Sequence, residues 1–152
     1  MDRRSFLKGA LAGGALILTP RMLLAADGTL VRQAGPNERV NLACCGIGGQ
    51  GGADVMTLYN TGLANIVALC DTDIGAPPTQ RVLSAFPDAP RFQDFRKMFD
   101  KMANQIDAVL VGTPDHSHFA IAMLAMSLGK HVYVEKPMAH SYRQIDLMMK
   151  AE

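Results

Sequence analysis

The sequence predicts an α/β fold of the Rossmann type, a doubly wound parallel sheet with helices on both faces. After about residue 39, short apolar runs typical of buried strands alternate with segments of helical periodicity. The glycine-rich motif G-I-G-G-Q-G follows the first of these runs at residues 46–51. Strands that alternate with helices imply right-handed crossovers, so the strands should run parallel.

Each element is predicted from a local pattern. The predicted strands are residues 40–45, 66–70, 108–111 and 131–134. The predicted helices are 53–60, 79–85, one that starts after Asp94, one capped by Asp115 or Ser117 that ends at Gly129, and 142–151. Ser141 directly precedes the last of these helices and Gln144 follows three residues after it, which is the pattern of a capping box. Pro87 and Pro90 are predicted to bracket a turn.

The first residues have the order of a targeting segment. Arg3 and Arg4 precede an apolar run over residues 9–18 and a small-residue end near Ala26. This order resembles a twin-arginine signal, which would send the protein to the periplasm or otherwise export it. A membrane anchor or a structured first helix is the alternative, but Pro20 and Arg21 break the run, so no stable membrane span is predicted. The pattern does not decide whether the signal segment is cleaved. The predicted organisation is a signal segment 1–26, a linker 27–38 and one domain 39–152.

Composition excludes some classes of partner. The formal net charge is +1 and no basic stripe is present, so no nucleic-acid partner is predicted. The three cysteines, Cys44, Cys45 and Cys70, form no C-x-x-C pair and fall in predicted strands. We interpret them as buried free thiols that pack as small apolar side chains.

The glycine motif predicts a site for a dinucleotide because it follows a strand and opens a helix. Gly46 permits the tight turn, Gly48 lets the backbone approach a pyrophosphate, and Gly51 allows close helix–strand packing. The helix N-terminus then offers free N–H groups to the phosphates. The predicted loop contacts are Gly46, Ile47, Gly48, Gly49, Gln50 and Gly51.

Asp71 ends the second predicted strand, 20 residues after Gly51. An acid at this spacing accepts hydrogen bonds from the adenosine ribose hydroxyls and repels a 2′-phosphate. The next basic residue is Arg81, so NAD is favoured over NADP as the cofactor. The alternative is that Asp71 only caps a turn.

Two later strands end in loops that should border the same cofactor, because ligands bind outside the carboxyl ends of parallel strands. The first loop carries Thr113, Pro114, His116 and His118. No acid or Cys lies at ligand spacing from the two histidines, so no metal is predicted and a capping or cofactor-contacting role is favoured.

The second loop is Glu135-Lys136-Pro137. The functional interpretation places Lys136 over the nicotinamide end, with Pro137 fixing the backbone that aims it. There the lysine donates to a substrate hydroxyl and favours its ionised form, which helps hydride leave the carbon. The alternative is an ordinary surface ion pair, and the tripeptide alone does not decide between the two.

Together these motifs resemble the Gfo/Idh/MocA family, named for glucose-fructose oxidoreductase and inositol dehydrogenase, over nearly all of the chain after the linker. The resemblance implies a sugar- or polyol-directed oxidoreductase that uses NAD or NADP. It also implies that Lys136 is catalytic, that Pro137 is often cis, that Glu135 contacts the nicotinamide side and that His118 lines the cofactor. The twin-arginine start resembles an exported branch, in which some members re-reduce a sugar on one retained cofactor and others cleave glycosides through transient oxidation.

The family pattern continues into an α/β domain that supplies a catalytic His and most of the substrate pocket. Here the chain stops at Glu152. We therefore expect a Rossmann unit truncated before its last strand, either a fragment or a remnant, with an exposed sheet edge. Three hypotheses follow: an NAD-dependent sugar or polyol oxidoreductase, an NAD-dependent glycoside hydrolase, or a non-catalytic nucleotide-binding fragment. A homo-oligomer is left open for the full-length form.

Overall fold

The computed structural model describes residues 22–24, 30–32 and 38–152. Residue contacts divide the chain into two units, with the boundary between Glu38 and Arg39. In the first unit, β1 (Met22–Leu24) pairs antiparallel with β2 (Leu30–Arg32). These strands fall within the segments predicted as signal and linker, and the rest of those segments lies outside the described residues.

The second unit, Arg39–Glu152, alternates strands and helices. Two short 3₁₀ turns, Pro77–Thr79 and Ala103–Gln105, supplement the regular elements. In chain order, the strands and α-helices of this unit are β3 (Val40–Cys45), α1 (Gly49–Asn60), β4 (Ala64–Cys70), α2 (Gln80–Ala85), β5 (Arg91–Phe92), α3 (Phe95–Met102), β6 (Ala108–Val111), α4 (Asp115–Ser127), β7 (His131–Val134) and α5 (Tyr142–Ala151).

The five strands form one parallel sheet in the order β5-β4-β3-β6-β7. The chain builds outward from β3 through β4 to β5, then returns to the other side of β3 for β6 and β7. The strand order therefore reverses between β3 and β6, the position where ligands bind in open α/β sheets. This topology confirms the predicted α/β fold, and β7 lies at one edge of the sheet.

Alternate residues of β3 enter two separate cores, one on each face of the sheet. Ala43 and Cys45 pack with buried residues of α3 and α4. Leu42 and Cys44 pack with buried residues of α1 and α2. Helices thus cover both faces, as the near-continuous apolar strands require. All three cysteines are buried free thiols, which confirms their interpretation.

Two of the predicted helix caps are confirmed. The Asp94 carboxylate accepts a hydrogen bond from the Arg96 N–H at 2.9 Å. Ser141 Oγ accepts from the Gln144 N–H at 3.3 Å, while Gln144 Oε1 accepts from the His140 N–H at 3.0 Å. The capping-box glutamine thus reaches the residue before the cap.

The cap predicted for α4 is wrong. Pro114 is its N-cap residue and caps without a side-chain hydrogen bond, and Asp115 is the first helical residue. The Ser117 hydroxyl instead lies 2.9 Å from Thr113 Oγ1 and 2.8 Å from the Pro114 carbonyl. The proline starts the helix through its fixed φ angle, so no polar cap is needed to set the start.

Strand β4 begins at Ala64 rather than at 66, helix α2 begins at Gln80 rather than at 79, and two larger differences from the sequence expectation concern α1 and β5. Helix α1 begins at Gly49, four residues before the predicted start at 53, because the glycines of the motif have low intrinsic helix propensity and conceal the first turn. Strand β5 was not predicted, since its two residues are too few to show a period. Within the described part of the chain, no helix combines the length and apolar character needed to cross a bilayer.

Candidate functional site

The loops that carry the predicted site residues meet at one edge of the sheet, because the strands before them are parallel. Backbone hydrogen bonds continue the sheet pairing into these loops. The Gly46 N–H donates to the Cys70 carbonyl at 2.8 Å, and the Gly112 N–H donates to the Cys45 carbonyl at 2.8 Å. The Glu135 N–H donates to the Val111 carbonyl at 2.9 Å. The structure thus brings the loops after β3, β4, β6 and β7 together.

Three glycines form a backbone-to-backbone contact at the centre of this edge. Gly46 has a φ of +80°, and a Cβ there would overlap the Thr113 nitrogen and lie 2.5 Å from the Gly112 carbonyl carbon. A Cβ on Gly51 would overlap the Gly46 oxygen and lie 2.8 Å from the Gly112 oxygen. The start of α1 can therefore pack on the turn after β3 and on the loop after β6 only if these positions lack side chains.

The N-terminus of α1 is open. Its N-cap residue, Gly48, has no side chain to cap it, and the first turn contains no acidic residue. A Cβ on Gly48 would lie 3.3 Å from Pro78 Cβ, so the loop after β4 borders it, whereas one on Gly49 would meet open space. Gln50 is exposed and donates through Nε2 to Asp54 Oδ1 at 2.9 Å. The first N–H groups of the helix therefore point toward a position where an anion can bind.

Asp71 already has two backbone partners. Its Oδ2 accepts from the Ile47 N–H at 2.9 Å, and its Oδ1 accepts from the Asp73 N–H at 3.0 Å. The carboxylate therefore caps its own turn, as the alternative interpretation expected, and also fixes the glycine loop through Ile47, which is buried. Each carboxylate oxygen can accept a second hydrogen bond, so capacity remains for ribose hydroxyls.

His118 is buried between the other two loops, with 1% of its surface exposed. Its Nδ1 lies 2.8 Å from the Pro137 carbonyl oxygen, and its Nε2 lies 2.7 Å from the Thr113 carbonyl oxygen. His116 and Pro114, by contrast, are exposed at the start of α4. The ring thus connects the loop after β6 with the loop after β7. Its predicted contact with the cofactor stays a prediction.

The Lys136–Pro137 peptide bond is cis, as the family resemblance implied. Lys136 is exposed, and its ammonium group has no ion pair or hydrogen bond within residues 38–152. The surface ion pair of the alternative interpretation is therefore not formed there.

A carboxyl pair next to this loop was not predicted from the sequence. The Asp54 carboxyl on α1 interacts electrostatically with Glu135, and its Oδ2 atom is buried with no hydrogen-bond partner in the described part of the chain. Burial raises the pKa of Asp54, and the nearby Glu135 carboxylate raises it further, while the Gln50 amide opposes the shift. No local sequence pattern predicts this pair, because the two residues belong to elements that are far apart in the chain.

Glu135 has a second neighbour in Tyr133. The Tyr133 hydroxyl donates to Glu135 Oε1 at 3.2 Å, and this hydrogen bond raises the pKa of the tyrosine. Glu135 and Lys136 also line a groove of about 650 Å³ beside β7 and α5. No group of three or more His, Cys, Asp or Glu side chains within the described residues is arranged to hold a metal ion.

Family models match both parts of the chain. Residues 40–152 match the Gfo/Idh/MocA model, described as an oxidoreductase family with an NAD-binding Rossmann fold. Residues 1–20 match the signal sequence of the twin-arginine translocation pathway, which points to export by that route. Both matches confirm what the motifs predicted.

The curated relatives include proteins named for glycoside hydrolysis. A glycosyl hydrolase family 109 protein 2 of Shewanella sp. (strain ANA-3) is 29% identical over 99% of this chain and 37% of its own length. A glycosyl hydrolase family 109 protein of Streptomyces niveus is 34% identical over 68% of this chain and 23% of its own length. The chain thus spans about a third of the length of the first of these relatives, and less of the second.

Solved structures with the same fold include dehydrogenases. A dehydrogenase from Chromobacterium violaceum superposes with a TM-score of 0.67 at 29% identity, over 75% of this chain and 32% of that one. The WlbA dehydrogenase from Bordetella pertussis, solved in complex with NADH and UDP-GlcNAcA, gives 0.62 at 26% identity, over 75% and 33%. With the family match over residues 40–152, these likenesses show that the chain belongs to the Gfo/Idh/MocA oxidoreductase family through its NAD-binding Rossmann fold.

Proposed function

We propose that this chain binds NAD along the carboxyl edge of its sheet and that Lys136 assists hydride transfer between the nicotinamide and a hydroxyl-bearing carbon of a sugar or polyol. The observation that carries the proposal is the open N-terminus of α1, held against two loops by the contact of Gly46, Gly51 and Gly112. This geometry offers unpaired N–H groups and the positive end of a helix dipole to a pyrophosphate.

Asp71 supports the choice of NAD over NADP. Its carboxylate is fixed beside the glycine loop by the Ile47 N–H, at the strand end where an adenosine ribose would lie. Two ribose hydroxyls can donate to it, whereas a 2′-phosphate would face a like charge. The nearest following basic residue, Arg81, is exposed on α2.

The loops after β6 and β7 then form the nicotinamide end of the site. When bound, NAD⁺ would supply the hydride acceptor: it would take up the hydrogen of a substrate C–H bond with its electron pair, and the hydroxyl proton would pass to solvent water as the carbonyl forms. The unpaired Lys136 ammonium can donate a hydrogen bond to the substrate oxygen as negative charge develops there. Thr113, Pro114, His116 and Glu135 border the same end.

Calorimetry with NAD and NADP tests the cofactor part of the proposal. We expect NAD to bind more tightly, and Asp71→Asn to weaken NAD binding by about tenfold, the size of one hydrogen bond to a charged group. Asp73→Asn is the matched control, because Asp73 is an exposed acid in the same turn. Absence of any heat with NAD would exclude the proposal.

Turnover tests the role of the lysine. With NAD and a panel of polyols and sugars, Lys136→Ala should lower the rate by about 10²-fold or more, as expected when a group acts on the reacting atoms. Lys130→Ala, a lysine at the other end of β7, should leave the rate unchanged. Equal rates in the Lys136→Ala variant and the wild type would remove the lysine from the mechanism.

A second candidate function is glycoside cleavage through transient oxidation by the same cofactor. It is favoured by the names of the curated relatives, which are glycosyl hydrolases. An assay with a glycoside and NAD separates the two: cleavage without accumulation of NADH supports the hydrolase, and stoichiometric NADH supports the dehydrogenase. Binding of NAD with neither activity would indicate the third hypothesis, a non-catalytic nucleotide-binding module.

The location of this chemistry is a further part of the proposal. The match of residues 1–20 to a twin-arginine signal supports export, and we propose the periplasm as the destination. Replacement of Arg3 and Arg4 by lysine should retain the protein in the cytoplasm, as measured by cell fractionation. Unchanged fractionation would argue against this route.

A further inference from the structure

His118 has a hydrogen-bond environment that constrains its chemistry. It is the fourth residue of α4 and is 1% exposed, and both of its ring nitrogens face carbonyl oxygens. The Nδ1 atom lies 2.8 Å from the Pro137 oxygen and the Nε2 atom lies 2.7 Å from the Thr113 oxygen. Both distances are those of good hydrogen bonds.

A carbonyl oxygen can only accept a hydrogen bond. A neutral imidazole carries one N–H and one lone pair, so one of the two contacts would then place a lone pair against an oxygen. Both contacts are satisfied only when both ring nitrogens carry hydrogen. The arrangement therefore calls for a ring that donates twice, once to each loop.

The placement of the two acceptors links this ring to the lysine. The Pro137 carbonyl follows Lys136 directly, and the Thr113 carbonyl belongs to the loop that ends β6. The contact of His118 with the Pro137 carbonyl therefore fixes the backbone from which the exposed Lys136 side chain extends. A charged ring near the start of a helix opposes the helix dipole, and Asp115 in the first turn of α4 supplies an acidic side chain at that end.

We propose that His118 is a positioning residue, whose ring donates to the Thr113 and Pro137 carbonyls at once and so holds the backbone from which Lys136 extends toward the nicotinamide side of the site. This role rests on the proposed function for Lys136. It differs from a direct cofactor contact, because both polar atoms of the buried ring are used within the protein.

Nitrogen NMR of the whole chain tests the double donation without any activity. With the histidines labelled by ¹⁵N, and His118→Gln used to assign its signals, both ring nitrogens of His118 should show the protonated form and couple to a hydrogen. A signal of the unprotonated type from either nitrogen would overturn the proposal. This result is independent of whether NAD binds, so it separates failure of the inference from failure of the proposed function.

Hydrogen exchange tests the connection between the loops. His118→Gln keeps a donor but cannot hold two fixed ring N–H directions, so exchange should rise together at the Gly112 and Glu135 amides, which donate to the Cys45 and Val111 carbonyls at the starts of the two loops. Ile121→Val is the control, since Ile121 is buried one turn later on α4 and packs in the core. Unchanged exchange in both loops of a folded His118→Gln protein would contradict the proposed connection between the loops.

A double-mutant cycle distinguishes positioning from a merely structural role. In turnover, His118→Gln should lower kcat by about tenfold with less than about a twofold change in the KM for NAD. In the Lys136→Ala background, the same substitution should lower kcat by less than about twofold. Equal losses in the two backgrounds would mean that His118 does not act through the lysine. If the wild type shows no turnover, the NMR results still test whether both ring nitrogens donate, and the exchange results still test whether His118 connects the two loops.

Discussion

At the scale of single residues, the site depends on what is missing as much as on what is present. Gly51 lies in a helix, where alanine would normally be favoured by about 1 kcal/mol. The Gly46 and Gly112 oxygens occupy the space that a Cβ would need. These contacts are with backbone atoms, which cannot rotate away. The steric overlap therefore outweighs the gain in helix propensity, and an alanine at this position should lower the stability.

We therefore expect Gly51→Ala to destabilise the domain by about 2 kcal/mol or more, in the range for overpacked sites. Gly49→Ala is a suitable control, because Gly49 has a φ of +51° but open space around its Cβ direction. Left-handed strain alone costs roughly 1–2 kcal/mol there. Denaturant unfolding measures both variants, and a Gly51→Ala protein as stable as the wild type would contradict the packing argument.

The Asp54 carboxyl predicts an unusual dependence of stability on pH. Its pKa is raised in the folded state by burial and by Glu135, so the folded protein binds a proton that the unfolded chain releases. The stabilisation that this bound proton provides is complete at pH values below the pKa of Asp54 in the unfolded chain. It is lost as the pH rises through the pKa of Asp54 in the folded protein. Asp54→Asn removes the titrating group and its repulsion from Glu135.

Denaturant unfolding between about pH 4 and 7, the range above the ordinary pKa of aspartate, measures this effect. The free energy of unfolding of the wild type, relative to Asp54→Asn, should fall as the pH rises. Asp88→Asn is the control, because Asp88 is an exposed acid in a turn. A difference between wild type and Asp54→Asn that is constant with pH would show that Asp54 does not titrate there.

At the scale of secondary-structure elements, the sequence predicted most of what the chain forms. Strands β3, β6 and β7 have the predicted bounds, since runs of apolar residues between helices leave little ambiguity. The start of α1 was missed because three of the four residues in its first turn are glycines. Strand β5 was missed because two residues become a strand only through pairing with β4, which is a tertiary effect.

The capping box of α5 gives a prediction at this scale. Ser141 Oγ accepts a hydrogen bond from the Gln144 N–H, so Ser141→Ala leaves that N–H without its partner. We expect a loss of about 1 kcal/mol in the free energy of unfolding. Ser127→Ala is the matched control, since that exposed serine only donates to the Leu124 carbonyl within its own helix. Equal stability of the two variants would show that the box does not hold the helix start.

At the scale of the whole molecule, the sequence indicated which loops meet at the candidate site but not how they are joined. The glycine spacing and Asp71 were visible because strand, turn and helix follow one another in the chain. The connection from Thr113 through His118 to Pro137, and the pairing of Asp54 with Glu135, arise only when β6, β7 and α1 are side by side. Such contacts between distant elements have no local pattern, so they could not be predicted.

Because four loops from four strands converge, a ligand that spans them should stabilise the whole unit 39–152 rather than one loop. NAD at about 100 times its dissociation constant should add roughly 2.7 kcal/mol to the free energy of unfolding. Adenosine monophosphate reaches only the Asp71 side and the first phosphate, so at the same concentration it should add much less. Thermal unfolding with each ligand measures this. Equal shifts would mean that the loops after β6 and β7 contribute nothing to binding, and the nicotinamide end of the site would then lie elsewhere.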